Sequence, residues 1–200
     1  MDPVSSVVFE TERLYLREFV REDAPAVFEY AGNIENTGFL PFSPEPYEDV
    51  LAFIERKLAD QIESPRRKYD LAICLKETDE MIGSMSLILS EDKRQAELGY
   101  LLNMRHWHKG YATEAAKGFL RFGFLGLDLH RIHARCDDRN AASYGVMERI
   151  GMRREAHFIK NEYTTVFAKK GWRSTYYYAI LQKEYLMGLS DGDHSPVSGG

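Results

Sequence analysis

Between Phe9 and Phe19 apolar and polar residues alternate through "RLYLREF", which puts Leu14 and Leu16 on one face of a strand. The period then changes. "APAVFEYAG" follows Asp23, a helix-capping residue type, with Pro25 in its first turn and Gly32 as its stop, and predicts a short helix. A second helix is predicted from Pro44 to Ile62, where Val50, Leu51, Ile54 and Leu58 recur at helical spacing before Ser64-Pro65 ends the run. Three strands follow, "KYDLAICLK", "MIGSMSLILS" and "QAELGYLLN", joined by the polar turns "ETDE" and "EDKR". Helical spacing returns from Thr113 to Leu125, with Ala112, Ala115, Ala116 and Phe119 on one face. "HRIHARCD" then reads as a strand, "AASYGVMERIG" as a short helix, and Met152 to Lys160 and Arg173 to Leu181 as the last two strands.

Hairpin strands beside helix-connected strands predict an α+β domain, a mixed sheet with helices on both faces. Residues 1–187 read as one domain, and from Gly188 the tail "GLSDGDHSPVSGG" has too little to bury and reads as disordered over 188–200. A chain of 200 residues suits a single domain with a substantial core. Its apolar share of 44% and aromatic share of 12% fit a folded protein. With a net charge of −5 and no basic run denser than Arg66-Arg67-Lys68, nucleic acid is not an expected partner. Met1 to Glu12 lacks a basic segment followed by an apolar one, and no apolar run approaches the roughly 20 residues of a membrane span, so a cytoplasmic protein without a membrane partner is expected. Cys74 and Cys136 lie in predicted strands, where a thiol behaves as a small hydrophobe.

The candidate chemistry centres on "WHKGYATEAA", Trp107 to Ala116. The first amides of a helix have no intrahelical partner and sit at the positive end of its dipole, so small residues there admit an anion to the backbone. Gly110 and Ala112 clear the way, Lys109 adds charge, and the amides from His108 to Thr113 donate. No Gly-Lys-Ser/Thr closes a Walker loop and no dinucleotide fingerprint is present, and a glycine that merely turns the chain is the plain alternative. A second strand-to-helix junction, Asn140-Ala141-Ala142-Ser143, would converge on the same cleft, with Asn140 also a good N-cap. His130 and His133 point to opposite strand faces, and His106 and His108 lack a third ligand nearby, so no metal is expected.

"TERLYLREF", "GYLLNMRHWHKGYATEAAKGFLRFGF" and "HRIHARCDDRNAASYGVMERIGM", in that order, resemble the GNAT superfamily of acetyl-CoA-dependent N-acetyltransferases, in its ribosomal-protein (RimJ/RimL-like) branch. The resemblance runs from Phe9 to Leu181 and implies the GNAT-like acyl-CoA N-acyltransferase fold, a mostly antiparallel sheet of about seven strands. It implies an acetyl-CoA site whose phosphate loop falls on Trp107, His108, Lys109, Gly110, Tyr111 and Ala112, followed by the Thr113 amide, with His108 where the branch usually has glycine. Leu101, Leu102 and Asn103 would splay from the neighbouring strand to bond the pantetheine arm, and Asn140 would hold it from the other side.

By the same resemblance, the amine attacks the thioester directly in a ternary complex. Glu97 is the implied base, a backbone N–H near Leu102 the oxyanion donor, and Ser143, then Tyr144 or a water, the acid, because Met147 stands where many relatives carry a tyrosine. The acceptor is expected to be a protein N-terminal α-amine. A small amine (aminoglycoside, polyamine or amino acid) is the alternative, and a non-catalytic acyl-CoA-binding sensor is a third reading. An α-amine with pKa near 8 is about one-tenth neutral at pH 7, whereas a lysine near 10.4 is neutral roughly once in a few thousand, ~3 kcal/mol harder. The link "NEYTTVFAKKGWRST" carries Trp172-Arg173-Ser174 where the family often has Trp-x-Asp, which removes one anchor for a cationic amine and leaves Glu35, Glu45, Glu48 and Glu162 as substitutes. Homodimers are common in the family and are compatible with this chain.

Overall fold

The computed structural model describes residues 7–39, 46–165 and 170–192. Eight strands form one sheet in the order β1-β2-β3-β4-β5-β6-β8-β7. They are β1 (Val7–Glu10), β2 (Leu14–Glu18), β3 (Lys68–Leu75), β4 (Met81–Leu89), β5 (Gln95–Leu102), β6 (Arg131–Asp137), β7 (Arg153–Thr164) and β8 (Gly171–Leu181). The predicted first strand is a hairpin of two, because Thr11 turns the chain, its amide bonding the Leu14 carbonyl at 2.8 Å. The helices are α1 (Ala24–Ala31), α2 (Ile34–Thr37), α3 (Tyr47–Ile62), α4 (Tyr111–Arg121), α5 (Ala141–Arg149) and α6 (Gln182–Gly192). The sequence pattern did not predict α2, and α6 reaches five residues into the predicted tail. The predicted helix start at Pro44 lies outside the described residues, as do residues 193–200.

Alternation along the strands sorts two cores onto the two faces. Leu71 and Ile73 of β3 join Leu14, Leu16, Ala115, Ala116 and Phe119 under α4, while Ala72 and Cys74 join Phe19, Val27, Tyr30, Val50 and Ile54 under α1 and α3. Cys74 and Cys136 are unpaired, and burial pushes each thiol up to about 11, which fits the apolar role. Asp23 precedes α1 as predicted, but its side chain does not cap the helix. Its carboxylate is claimed instead by the Arg17 guanidinium at 2.7 and 2.8 Å and by the Val20 amide at 2.9 Å.

One pairing positions the site. Every ladder is antiparallel except β5 with β6, which is parallel and spans only Gln95↔Arg131, Ala96↔Ile132 and Glu97↔His133. A parallel pair needs a crossover, supplied here by α4, and beyond Glu97 the two strands part. The separated ends, Leu98 to Leu102 and Ala134 to Asp137, leave a gap through the sheet.

Candidate active site

The gap opens into a cleft of about 720 Å³ that reaches both sheet faces. On β5 the Asn103 amide bonds the Ile82 carbonyl of β4 at 2.8 Å, so alternation turns the Tyr100 and Leu102 amides toward the gap. Gly83 permits this local geometry. A Cβ there would lie 2.4 Å from the Leu101 carbonyl oxygen and 2.8 Å from the Leu102 Cα, so only glycine lets β4 approach so closely. The Leu102 carbonyl is pinned by the Trp107 indole at 2.9 Å and the Asn36 amide group at 3.0 Å. Asn36 in turn accepts from the Met104 amide at 2.6 Å, a role for α2 that no sequence signal announced.

From Trp107 the chain enters α4 through two left-handed residues, His108 at φ 58° and Gly110 at φ 82°. Glycine takes that conformation without a Cβ penalty, whereas histidine is held in it. The Glu114 amide returns to the Gly110 carbonyl at 3.0 Å, and no described group accepts from the amides of His108 to Thr113. A Cβ on Gly110 would meet nothing nearer than an Arg13 nitrogen at 3.4 Å, so the cradle in front of these donors is open. It is a set of aligned donors with the geometry of an anion nest.

Arg13 and Glu114 brace this loop from a distance in sequence. Glu114, in the first turn of α4, accepts from the Thr11 hydroxyl at 2.6 Å, the Arg13 amide at 2.7 Å and Arg13 Nε at 2.7 Å. Arg13 Nη1 continues to the Lys109 carbonyl at 3.1 Å, and its guanidinium lies 4.5 Å over the Tyr111 ring. Burial opposes ionisation of Glu114, yet the Thr11 hydroxyl and the Arg13 amide and guanidinium outweigh it and hold its carboxyl below the ordinary range. A depressed carboxyl contributes stability above its ordinary range near pH 4 and loses it as pH falls through the lower folded value. Glu114→Gln is therefore expected to cost about 2 kcal/mol at pH 7 and less at acid pH, and to raise the KM for acetyl-CoA several-fold. Urea denaturation at both pH values and steady-state kinetics check this.

At the second junction Asn140 caps α5, its Oδ1 accepting from the Ser143 amide at 3.1 Å, which leaves its NH2 for the cleft it lines. The Tyr100 hydroxyl donates to the Ser143 carbonyl at 2.7 Å and lies 3.0 Å from Ser143 Oγ. Burial drives the Tyr100 hydroxyl far above its ordinary value, so it stays protonated. Met147 is buried and lines the cleft, whereas Tyr144 stacks edge-on against Tyr176 and is not among the lining residues.

The opposite wall is charged. Glu97 Oε1 accepts from Arg135 Nε at 2.8 Å, Arg135 Nη1 meets Glu162 Oε1 at 3.2 Å, and Arg173 Nη2 meets Glu162 Oε2 at 3.3 Å. Asp137 is held by the Arg139 amide at 3.0 Å and its guanidinium at 2.7 and 2.8 Å; burial resists its ionisation, but Arg139 prevails and its carboxyl sits below the usual range.

Of the sequence-predicted residues, Glu97, Leu101, Leu102, His108, Gly110, Tyr111, Ala112, Thr113, Asn140 and Ser143 all line this one cleft. Asn103 and Lys109 do not. The Asn103 side chain is buried and donates to Glu29 at 3.1 Å, and Lys109 offers its carbonyl to Arg13 while its side chain is exposed. Glu35 and Glu48 are exposed on α2 and α3 away from the cleft lining, and Glu45 lies outside the described residues. Ser174 Oγ accepts from the Lys160 amide at 3.1 Å. Arg13, Asn36, Arg135 and Arg173 are site residues that the sequence patterns missed. Among the described residues no group of three or more His, Cys, Asp or Glu is placed to hold a metal ion, and no helix is long and apolar enough to cross a membrane.

The family model described as an acetyltransferase (GNAT) domain matches residues 13–153. The uncharacterized N-acetyltransferase YnaD of Bacillus subtilis is 35% identical over 175 residues, 88% of this chain and 97% of the relative. The crystal structure of a GNAT-family acetyltransferase from Bacillus anthracis superposes with a TM-score of 0.78 at 32% identity, covering 88% of this chain and 98% of that one. Spermidine N-acetyltransferase of Vibrio cholerae, solved in complex with CoA and spermine, shares the fold at a TM-score of 0.74 and 21% identity, covering 87% of this chain and 98% of its own.

Proposed function

The chain belongs to the GNAT acetyltransferases, enzymes that draw on acetyl-CoA, and from that premise we propose that its acceptor is a protein N-terminal α-amine, as in the ribosomal-protein branch. The observation that carries the acceptor reading is the neutrality of the cleft wall. Its carboxylates Glu97, Asp137 and Glu162 are each paired with an arginine, so none is left over for a polycation.

The residues present fit the cosubstrate. The open cradle at Gly110, with its unclaimed amides from His108 to Thr113, suits a pyrophosphate, while the Tyr100 and Leu102 backbone and the Asn140 NH2 suit the amide groups of a pantetheine arm; the Leu101 backbone faces β4 instead. Bound acetyl-CoA supplies the thioester: the amine nitrogen forms the new C–N bond, the C–S bond breaks, and the thiol leaves with a proton. In this reading the Leu102 amide faces the carbonyl oxygen on which negative charge develops, a donor that costs no reorganisation. Glu97 takes the ammonium proton, directly or through a water, with Arg135 fixing one of its oxygens. Ser143 and the protonated Tyr100 hydroxyl stand 3.0 Å apart at the start of α5, and Ser143 Oγ hands its proton to the departing thiolate as it takes the proton that the attacking nitrogen sheds once the C–N bond has formed.

A thiol-release screen with N-terminal peptides, polyamines, aminoglycosides and amino acids tests the reading. Peptides are expected to turn over with the highest kcat/KM. A polyamine or aminoglycoside ahead of every peptide would overturn the acceptor assignment, and acetyl-CoA binding without transfer to any amine would favour the sensor.

A further inference from the structure

We infer that the acceptor carries an acidic side chain at its second or third residue and that Arg173 receives that carboxylate; the inference rests on the transferase reading and deepens it. The wall of the cleft opposite α4 bears a row that alternates in sign, Glu97, Arg135, Glu162 and Arg173. The first contact, Arg135 with Glu97 at 2.8 Å, has the length of a committed charge-assisted bond. Arg173 is held differently. It reaches Glu162 at 3.3 Å and the Phe39 carbonyl at 3.3 Å, both long for a guanidinium, and among the described residues its buried Nε has no partner. Yet its side chain is only 10% exposed. A guanidinium offers five N–H donors in a fixed fork, so a nearly buried arginine with two loose bonds is short of acceptors. A carboxylate entering the cleft can meet the second hydrogens of Nη1 and Nη2 without displacing any contact of the row. A cation would instead have to take Glu97 or Glu162 from Arg135.

The reach of the acceptor follows from the row. Arg135 and Glu162 stand between Glu97, the proposed base, and Arg173, so an amine beside Glu97 is separated from the Arg173 guanidinium by both of these side chains. A free amino acid keeps its carboxylate within about 4 Å of its amine, too short for that span. An extended peptide advances about 3.3 Å per residue, so an acidic second or third residue arrives at Arg173 with the α-amine at the gap.

The test uses the full chain and three C-terminally amidated hexapeptides that differ only in carrying two glutamates, two glutamines or two lysines at the second and third positions. Thiol release gives kcat/KM, and calorimetry with CoA present gives Kd. The acidic peptide is expected to exceed the glutamine peptide by about tenfold or more in both, Arg173→Gln to bring that ratio close to one, and Arg173→Lys to restore part of it. An unchanged melting temperature and acetyl-CoA KM show that the variants fold. Equal values for the acidic and glutamine peptides with the unmodified protein overturn the inference with no variant needed, as does a preference for the lysine peptide or for free glutamate. If no amine of any class is acetylated, the transferase reading fails, and the calorimetric ratio alone decides whether Arg173 selects a carboxylate.

Discussion

Gly110→Val raises the KM for acetyl-CoA by about a hundredfold or more and costs the fold only about 1–2 kcal/mol. The two effects have separate causes. Gly110 sits at φ 82°, where a β-branched side chain is strained, so the chain there relaxes toward negative φ and the amides on either side turn out of alignment. The core is spared, since a Cβ at this position meets only an Arg13 nitrogen at 3.4 Å. A phosphate that loses two charge-assisted amide bonds loses roughly 3 kcal/mol, which is the hundredfold. Calorimetric Kd for acetyl-CoA and a thermal melt separate binding from stability. A folded variant with unchanged affinity would mean that the pyrophosphate lies elsewhere.

The same residue shows how far sequence reasoning reached. The proposed phosphate cradle is local, six consecutive residues whose helix start and small side chains announce themselves, and α4 begins at Tyr111 within them. The strands and α4 were legible for the same reason, since burial on one face imposes a period that a short window reveals. The β1–β2 hairpin was read through as one strand because Leu14 and Leu16 continue the alternation past a turn set by Thr11, a residue equally at home in a strand. What stayed hidden is held by contacts that close only in three dimensions. Arg13 braces Lys109 across about a hundred residues of chain, and Asn36 pins the Leu102 carbonyl from a four-residue helix too short to show a period. The charged wall was half visible: the family resemblance pointed to Glu97, but its pairing with Arg135 depends on the register of β5 with β6.

That pairing shapes the other large expected effect. Glu97→Gln lowers kcat at pH 7 by about a hundredfold or more, the usual share of a positioned base, and leaves the KM for acetyl-CoA nearly unchanged. The load on the base depends on the acceptor: bringing an α-amine of pKa near 8 to its neutral form at pH 7 costs about 1.4 kcal/mol, against ~4.6 kcal/mol for a lysine. A single carboxylate, one oxygen of which is engaged by Arg135 at 2.8 Å, is better matched to the smaller task. If Glu97 is the base, the variant's rate climbs about tenfold per pH unit until the amine is neutral in solution, and the gap to the unmodified enzyme closes above about pH 9. If Glu97 only positions Arg135, glutamine frees that guanidinium, the loss appears in the acceptor KM, and it persists at every pH. Arg135→Gln separates the two cases further, because it keeps the carboxylate and removes the partner that orients it, so if Glu97 is the base kcat falls less than in Glu97→Gln and that smaller deficit also closes above about pH 9. A Glu97→Gln deficit that stays constant from pH 6.5 to 9.5 therefore removes the base role and leaves neutral amine drawn from solution as the attacking species.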